Sequence, residues 1–362
     1  MGNRDIIVMG ASAGGLDALK TIFAKLPAGL PASIFIVWHM SPDIRGVLPQ
    51  ILNSYHDYFA AHAVDREPIE SGRVYVAPPD HHLIIEKGHI RVTRGPKENR
   101  FRPAVDPLFR SAAYHYGPRV IGVVLSGALD DGMAGLWTIK HLGGVAVVQD
   151  PADAEVSSMP ENAIREVAVD HILPAAGIPE MLARLSREEI EIPNEANMGS
   201  DDKETQKTES EIRIAMEDDA LKAGIFGLGE LSPYTCPECH GVLSAITEGK
   251  LKRFRCHTGH AYSTDALLAS VSENIEESLW SAIRGIDECI ILLNHMGDHL
   301  AEVNQPKLAA HYFKKANEAS RRNDLMRQVV TSHEMLTKDG IRREVELGNG
   351  DGAAHVKKQD PV

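Results

Sequence analysis

The chain has 362 residues, of which 43% are hydrophobic and 25% are charged, and its formal net charge is −13. This length and composition are typical of a soluble protein of two or three domains. No apolar stretch approaches the roughly 20 residues of a membrane helix, and the acidic balance argues against nucleic-acid binding. Four cysteines, two of them in a Cys-Pro-Glu-Cys motif, favour a reducing cytoplasm and a metal site over a disulfide framework.

The first 185 residues alternate strand and helix signals. Apolar runs bounded by Gly, Pro or polar residues predict strands before Gly10 and at 34–38, 73–77, 120–125, 144–149 and 171–173. Their hydrophobic residues are continuous, which is typical of strands buried on both faces. The stretches 82–86 and 89–93 predict an edge hairpin. We therefore expect an α/β domain over 1–185 with a doubly wound, mostly parallel sheet.

Three of the predicted strands end in polar side chains that suit acyl transfer. Ser12 lies in the turn GASAGG at 10–15, His39 follows the second strand, and Asp131 follows the strand that ends at Leu125. Ligands of open α/β sheets bind outside the carboxyl ends of the strands. A hydroxyl, an imidazole and a carboxylate at that edge can serve as nucleophile, general base and orienting group. Alternatively, the glycine-rich turn binds a phosphate at a helix N-terminus.

Residues 186–219 separate this domain from the C-terminal part. They hold twelve Asp or Glu residues against four Lys or Arg residues, and few large apolar ones. Such a segment cannot bury enough apolar surface to offset the loss of chain entropy. We therefore expect a disordered acidic linker over 186–230.

A cysteine and histidine pattern after this linker predicts a zinc ribbon over 231–262. Cys236 and Cys239 form one knuckle, and Cys256 and His260 form the second after sixteen intervening residues. Three thiolates and one imidazole complete a closed tetrahedral site, which is structural rather than catalytic. His257 is the alternative fourth ligand.

Helical signals follow the ribbon. The intervening ribbon residues predict a hairpin turning at Glu248 and Gly249, and Ser263 is a predicted N-cap. Apolar spacing from Asp265 to about Leu300 and from about 307 to 336 predicts a helical hairpin over 263–340, with Cys289 inside its apolar seam. We expect a disordered tail over 341–362.

Several motifs in the same order give residues 5–185 a resemblance to the chemotaxis protein-glutamate methylesterases. GASAGGLDAL at 10–19, WHMSPD at 38–43 and LSGALDDGMAGL at 125–136 resemble the loops that carry the family's serine, histidine and aspartate. Three further stretches agree with the family: GRVYVAPPDHHLII at 72–85, FRPAVDPLFRSAA at 101–113 and GGVAVVQDPADAEVSSMPENAI at 143–164.

The resemblance implies a reaction and a role for each site residue. Ser12 would be the nucleophile, His39 the general base and Asp131 its orienting carboxylate. The implied reaction hydrolyses γ-methyl esters of glutamates on the cytoplasmic helices of methylated chemoreceptors, releases methanol and needs no cofactor. Backbone N–H groups of Ala13 and Ala128 would hold the oxyanion.

The chain also departs from the family pattern. Ala13 stands where many members have Thr, and Asp130 is an additional carboxylate that we expect to face water. Arg102 and Asp106 are expected to brace the cleft by ion pairing. Because the resemblance begins at residue 5, we expect a form without the fused receiver domain of the familiar enzymes. The C-terminal extension, formed by the predicted ribbon and helical hairpin over 231–340, would contact other chemotaxis or signalling proteins. The alternative is a non-catalytic adaptor or a phosphate- or metabolite-binding module with the same fold.

Overall fold

The structure, a computed structural model, describes residues 2–39, 46–55, 58–192, 203–216 and 220–348. The chain divides into two units, Met1–Leu267 and Leu268–Val362. The first unit therefore contains the predicted ribbon together with the α/β domain. Within the described ranges, no helix combines the length and the apolar character needed to cross a membrane.

The α/β part of the first unit is built from short strands and helices. Its strands are β1 (Gly2–Asn3), β2 (Ile6–Ala11), β3 (Ser33–Trp38), β4 (Phe59–His62), β5 (Arg73–Val76), β6 (His82–Glu86), β7 (His89–Thr93), β8 (Val120–Val124), β9 (Val145–Gln149), β10 (His171–Leu173) and β11 (Glu189–Ile190). Its helices are α1 (Gly15–Lys25), α2 (Leu48–Asn53), α3 (Val105–Tyr116), α4 (Met133–His141), α5 (Ser158–Glu166) and α6 (Ile178–Leu185).

A seven-stranded sheet has the order β10-β9-β8-β2-β3-β5-β4, and every neighbouring pair in it is parallel. Successive residues of β2 point to opposite faces: Ile7 packs in one apolar cluster with Leu19 of α1, and Val8 packs in the other with Phe109 of α3. The doubly wound α/β prediction is therefore confirmed. The strand order reverses between β2 and β8, which is where ligands bind in such sheets.

The predicted hairpin forms, but it does not extend the edge of the parallel sheet. Strands β6 and β7 pair antiparallel as a separate two-stranded sheet. The backbone N–H of Ile85 donates to Ser111 Oγ on α3 at 3.0 Å. The hairpin is thus attached to a helix layer, and the prediction of an edge position was wrong.

The prediction of a disordered linker over 186–230 was wrong where the structure describes this segment. Helix α7 (Lys203–Ala215) buries Ile212 and Ile214, and Glu211 is 0% exposed. The Glu211 carboxylate pairs with Arg253 and Arg255 of the ribbon, so partners distant in sequence compensate its charge. Residues 193–202 and 217–219 lie outside the described residues.

The predicted ribbon is a four-stranded antiparallel sheet. Its strands follow one another in the order β12 (Glu230–Thr235), β13 (Val242–Glu248), β14 (Leu251–Cys256) and β15 (Ala261–Ser263). Strand β13 ends at Glu248 and β14 begins at Leu251, so the hairpin turns close to the predicted position. Cys236 and Cys239 lie in the loop β12–β13, Cys256 ends β14, and His260 lies in the loop β14–β15.

Three further helices follow, namely α8 (Thr264–Glu302), α9 (Pro306–Thr331) and α10 (Lys338–Gly348). The N–H of Ala266 donates to Ser263 Oγ at 2.9 Å, which confirms Ser263 as the N-cap. Asp287 on α8 accepts hydrogen bonds from Asn323 and Arg327 on α9, each at 2.6 Å. These bonds support the predicted helical hairpin.

Two expectations for the C-terminal part were wrong. Cys289 is exposed, because it lies six residues from the buried Ile283, about 240° around the helix. Residues 341–348 belong to α10 instead of a disordered tail. The rest of the predicted tail, 349–362, lies outside the described residues.

Candidate active site and metal centre

Ser12 directly follows β2 in a turn that ties two strand ends together. Gly14, at the N-cap of α1, has φ +71°, and a Cβ there would lie 2.7 Å from Ser126 Oγ, so glycine suits this position. The N–H of Ser12 donates to the carbonyl of Ser126 at 3.0 Å, and Ser126 Oγ donates to the carbonyl of Ala13 at 2.8 Å. The turn thus holds Ser12 at the switch point between β2 and β8.

His39 and Asp131 form a buried pair beside this turn. His39 Nε2 lies 2.8 Å from Asp131 Oδ2, and both side chains are 2% exposed. The ring of His39 stacks on Phe101 with 3.8 Å between ring centroids and 10° between planes. With Nε2–H donating to the carboxylate, Nδ1 is the nitrogen left to accept a proton, and it makes no hydrogen bond to any described residue.

The carboxylate of Asp131 is held from several sides. It accepts hydrogen bonds from the N–H of Val105 at 2.6 Å, the N–H of Gly132 at 2.9 Å and Asn99 Nδ2 at 2.8 Å. Burial alone would raise the pKa of Asp131, but the hydrogen bonds outweigh burial and hold its pKa below the usual value. Asp131 is therefore a fixed anion that orients the His39 ring.

Asp130 is buried, and the expectation that it faces water was wrong. Ser263 Oγ donates to Asp130 Oδ1 at 2.6 Å. Burial, followed by the nearby charge of Asp265, raises the pKa of Asp130 to about 8. The residue turns inward because β15 and the start of α8 cover it.

Arg102 and Asp106 both brace the cleft, by different contacts. Arg102 forms an ion pair, as expected, and its partner is Asp80, to which it donates at 2.6 and 2.9 Å. No partner for it was predicted from the sequence. Asp106 accepts from the N–H of Gly135 at 2.7 Å and from Asn99 Nδ2 at 2.9 Å. Burial, followed by the nearby Asp131, raises the pKa of Asp106 to about 7.

A cavity of about 510 Å³ opens in front of these groups, and its lining includes both Ser12 and His39. Ser12 is 8% exposed, and no hydrogen bond links its Oγ to His39 among the described residues. The remaining residues of the lining are Ala13, Gly14, Leu16, Trp38, Asp80, Lys97, Arg100, Phe101 and Arg102.

The two predicted oxyanion donors differ in their placement. Ala13 lines the cavity, and Ala128 is not among its lining residues. Within the described part of the chain, the backbone N–H of neither residue makes a hydrogen bond, so both are available as donors.

The four predicted metal ligands lie together in the ribbon. The donor atoms of Cys236, Cys239, Cys256 and His260 are all within 4.8 Å of one another. Cys239 Sγ is 3.5 Å from Cys256 Sγ, and His260 Nδ1 is 3.7 Å from Cys236 Sγ. These separations match the ~3.8 Å between thiolates on a tetrahedral zinc with Zn–S bonds of ~2.3 Å. The residues therefore fit the ion, and His260 is the histidine that lies with the three cysteines among the described residues.

Sequence reasoning missed a buried network of charged side chains between the α/β part, α7 and the ribbon. Arg110 of α3 pairs with Glu98, which also accepts from Arg255 at 2.7 Å. Glu211 accepts from Arg253 at 2.5 Å and from Arg255 at 3.0 Å. Spacing in the sequence could not reveal the pairing of Glu211 with Arg253 and Arg255, because these residues lie 42 and 44 positions apart in the chain.

Comparison with known proteins identifies the family to which this chain belongs. Residues 7–182 match the family model described as CheB methylesterase. One relative is a protein of Leptospira interrogans whose name gives protein-glutamate methylesterase/protein-glutamine glutaminase as an inferred activity. It is 42% identical over 190 residues, which cover 52% of this chain and 98% of that protein. The chain therefore belongs to the CheB methylesterase family, and residues 7–182 are its methylesterase domain.

Two further proteins are similar over the same part of the chain. The protein-glutamate methylesterase/protein-glutamine glutaminase of Hydrogenovibrio crunogenus is 36% identical over 187 residues, covering 51% of this chain and 50% of that protein. The crystal structure of the Thermotoga maritima CheB methylesterase catalytic domain matches with 36% identity and a TM-score of 0.49, covering 51% of this chain and 99% of that one.

Proposed function

We propose that the protein hydrolyses γ-methyl esters of glutamate side chains on chemoreceptors, with Ser12 as nucleophile, His39 as general base and Asp131 as orienting carboxylate. The observation that carries this proposal is the 2.8 Å contact between His39 Nε2 and Asp131 Oδ2, beside a cavity that Ser12 also lines. The family membership of residues 7–182 supports the same chemistry.

Each step of the reaction has a group to perform it. His39 Nδ1 accepts the proton of Ser12 as Oγ attacks the ester carbonyl, and Ala13 and Ala128 N–H groups receive the oxyanion. Collapse of the tetrahedral intermediate breaks the bond to the methoxy group, which leaves as methanol with the proton from His39. Water, deprotonated by His39, then hydrolyses the acyl-enzyme and returns Ser12 to its starting state.

The charge around the cavity supports an acidic protein segment as substrate. Lys97, Arg100 and Arg102 line the cavity, and Asp80 is the carboxylate among the lining residues. The cytoplasmic helices of methylated chemoreceptors carry glutamates, so we propose a cytoplasmic role in chemotaxis adaptation or a related signalling pathway. The names of relatives also include a glutaminase activity. In that reaction the same acyl-enzyme would form with release of ammonia.

We also propose that Cys236, Cys239, Cys256 and His260 bind zinc, which would hold the β12–β13 and β14–β15 loops together. The 4.8 Å limit on the separation of their donor atoms supports this proposal. All four positions would be filled by protein ligands, which is typical of a structural site. The proposed methylester hydrolysis uses no group of this centre.

Covalent labelling tests the proposed nucleophile. A fluorophosphonate should modify the full-length protein at Ser12, identified by mass spectrometry of the peptide, because the probe reacts with activated serines. Ser12→Ala should abolish the label, and His39→Ala should slow it by at least about 10²-fold through loss of the general base. Absence of a label on Ser12 would favour the non-catalytic alternative, an adaptor or a phosphate- or metabolite-binding module.

A further inference from the structure

The loop from Lys97 to Arg102 is hydrogen-bonded to β15, the last strand of the ribbon. The N–H of Asn99 donates to the carbonyl of Ala261 at 2.8 Å, and the N–H of Ala261 donates to the carbonyl of Lys97 at 3.2 Å. Ala261 begins β15, directly after His260. Lys97 Nζ also pairs with Glu238 of the ribbon at 3.0 Å. The loop therefore continues the ribbon's hydrogen bonding at its edge.

The side chain of Asn99 connects this edge to the candidate active site. Its Oδ1 accepts from the N–H of Ser263 at 2.8 Å, while its Nδ2 donates to Asp131 Oδ1 at 2.8 Å and to Asp106 Oδ2 at 2.9 Å. Asn99 is 4% exposed. One end of the amide faces an N–H and the other faces two carboxylates, so only this orientation of the amide satisfies all three partners.

We propose that Asn99 is a positioning residue through which ribbon strand β15 fixes the orientation of the Asp131 carboxylate toward His39. Oδ2 of Asp131 faces His39, and Oδ1 is the oxygen that Asn99 holds. Backbone N–H groups hold the same carboxylate, Gly132 on Oδ1 at 2.9 Å and Val105 on Oδ2 at 2.6 Å. Asn99 adds the side-chain donor on Oδ1 that links this orientation to the ribbon. The proposal rests on the proposed function, because Asp131 acts as the orienting carboxylate there.

Phe101 extends the same loop to the second member of the pair. Its ring stacks on His39, two residues beyond Asn99. Glu98, the residue before Asn99, is held by the buried Arg255 of the ribbon at 2.7 Å. One short loop therefore contacts Asp131, His39 and the ribbon. Asn99 is not among the residues that line the cavity, so it links the ribbon to Asp131 from outside the proposed substrate site.

The test compares variants of the full-length protein. Asn99 has φ +49°, a conformation that glycine adopts without strain, so Asn99→Gly removes the amide at little backbone cost. We expect kcat for a methylated receptor peptide to fall about 10- to 100-fold, the effect of losing a hydrogen bond to a charged group. KM should stay within about twofold. Asn99→Ala should lower kcat in the same way and be less stable than Asn99→Gly, because alanine is strained at this φ. Urea unfolding of both variants separates a loss of stability from the loss of turnover.

Asn162→Ala is the matched control. Asn162 is buried and donates to the carbonyl of Leu129 at 2.9 Å, so it holds the same aspartate loop without touching Asp131. We expect its kcat to fall less than about threefold. An equal loss in both variants would mean that general loosening of the loop, and not orientation of Asp131, explains the effect.

Two readouts are independent of turnover. The low-field ¹H NMR resonance of the His39 Nε2–H donor should shift in Asn99→Gly and stay unchanged in Asn162→Ala. Hydrogen exchange of the Ser263 amide should accelerate at least about tenfold in Asn99→Gly, because its acceptor is gone. Unchanged resonance and exchange would overturn the proposal. If both change but turnover does not depend on Ser12, the proposed function fails and the positioning role stands.

Discussion

Asp130 and Asp131 are adjacent and buried, but their surroundings shift the pKa values of their carboxyls in opposite directions. Asp131 accepts from His39 and from two backbone N–H groups at 2.6 and 2.9 Å, so its anion is stabilised. Asp130 has Ser263 as its hydrogen-bond donor and lies near Asp265, so its neutral form is favoured. Asp131 is therefore the residue that orients the general base, and Asp130 contacts the start of the following helix through Ser263.

Replacing Asp131 should cost far more activity than replacing its neighbour. In Asp131→Asn the amide cannot hold the His39 ring with Nδ1 free to accept a proton, and we expect kcat to fall by about 10³- to 10⁴-fold. Initial rates of methanol release measure the effect. Asp130→Asn, the matched control, should keep kcat within about threefold; similar losses in both would refute the distinction.

Asp130→Asn should instead change how stability depends on pH. The pKa of Asp130 is about 8 in the folded protein, above its value in the unfolded chain. The unfolded state binds fewer protons between these values, so the free energy of unfolding falls as pH rises through this window. We expect the parent to lose about 3 to 4 kcal/mol more than Asp130→Asn between about pH 5 and about pH 8, measured by urea unfolding. Parallel stability curves for the two proteins would contradict this expectation.

Among the elements, α7 shows how part of an acidic stretch of sequence becomes ordered. The helix itself has three Glu residues and three Lys or Arg residues. Its Glu211 is buried against Arg253 and Arg255 of β14. Burial alone would raise the pKa of Glu211, but the three nearby guanidinium groups hold that pKa well below its usual range. A buried ion of this kind is stable only with its partners in place.

Removing the charge of Glu211 should therefore destabilise the first unit. We expect Glu211→Gln to lower the free energy of unfolding by about 3 kcal/mol, because the buried Arg110, Arg253 and Arg255 would lose a counter-charge. Urea unfolding followed by circular dichroism measures the change. Glu209→Gln alters an exposed residue of the same helix and should cost less than about 1 kcal/mol. A loss of less than about 1 kcal/mol for Glu211→Gln would mean that the buried charge network around Glu211 contributes little to the free energy of unfolding.

The stability of the ribbon should depend on the proposed zinc ion, and zinc binding should depend on the four ligand residues. The purified protein should contain about one zinc ion per chain, and Cys236→Ser should lose most of it and lower Tm, since a structural zinc stabilises its fold. Cys289→Ser is the matched control, because Cys289 is exposed and lies outside the ligand cluster. Elemental analysis and thermal unfolding measure both effects. Equal zinc content in the parent and Cys236→Ser would contradict the assignment.

At the scale of the whole chain, the sequence predicts features that depend on local pattern. Continuous apolar runs predicted the buried parallel strands, and the ends of those strands brought His39 and Asp131 together as expected. Cys and His spacing brought together the four candidate metal ligands in the same way. Ser263 was found as an N-cap because capping depends on neighbouring residues.

Features that depend on distant contacts were not predictable from one sequence. Asn99 and Ser263 are 164 residues apart, and no local pattern indicates their hydrogen bond. Glu211 was interpreted as part of a disordered segment because its partners lie 42 and 44 residues further along the chain. Asp130 was expected to face water because the residues that cover it belong to the ribbon. Both of these errors concern a carboxylate whose burial is compensated by a partner distant in sequence.

Methanol release from a methylated receptor fragment is the most direct measurement of the central claim. We expect the full-length protein to release methanol and Ser12→Ala to be slower by at least about 10⁴-fold, because the nucleophile is lost. Ser126→Ala, which removes a neighbouring buried hydroxyl, should retain far more activity than Ser12→Ala. Equal methanol release by the parent and Ser12→Ala, or no release by the parent, would contradict the assignment of a serine-dependent methylesterase.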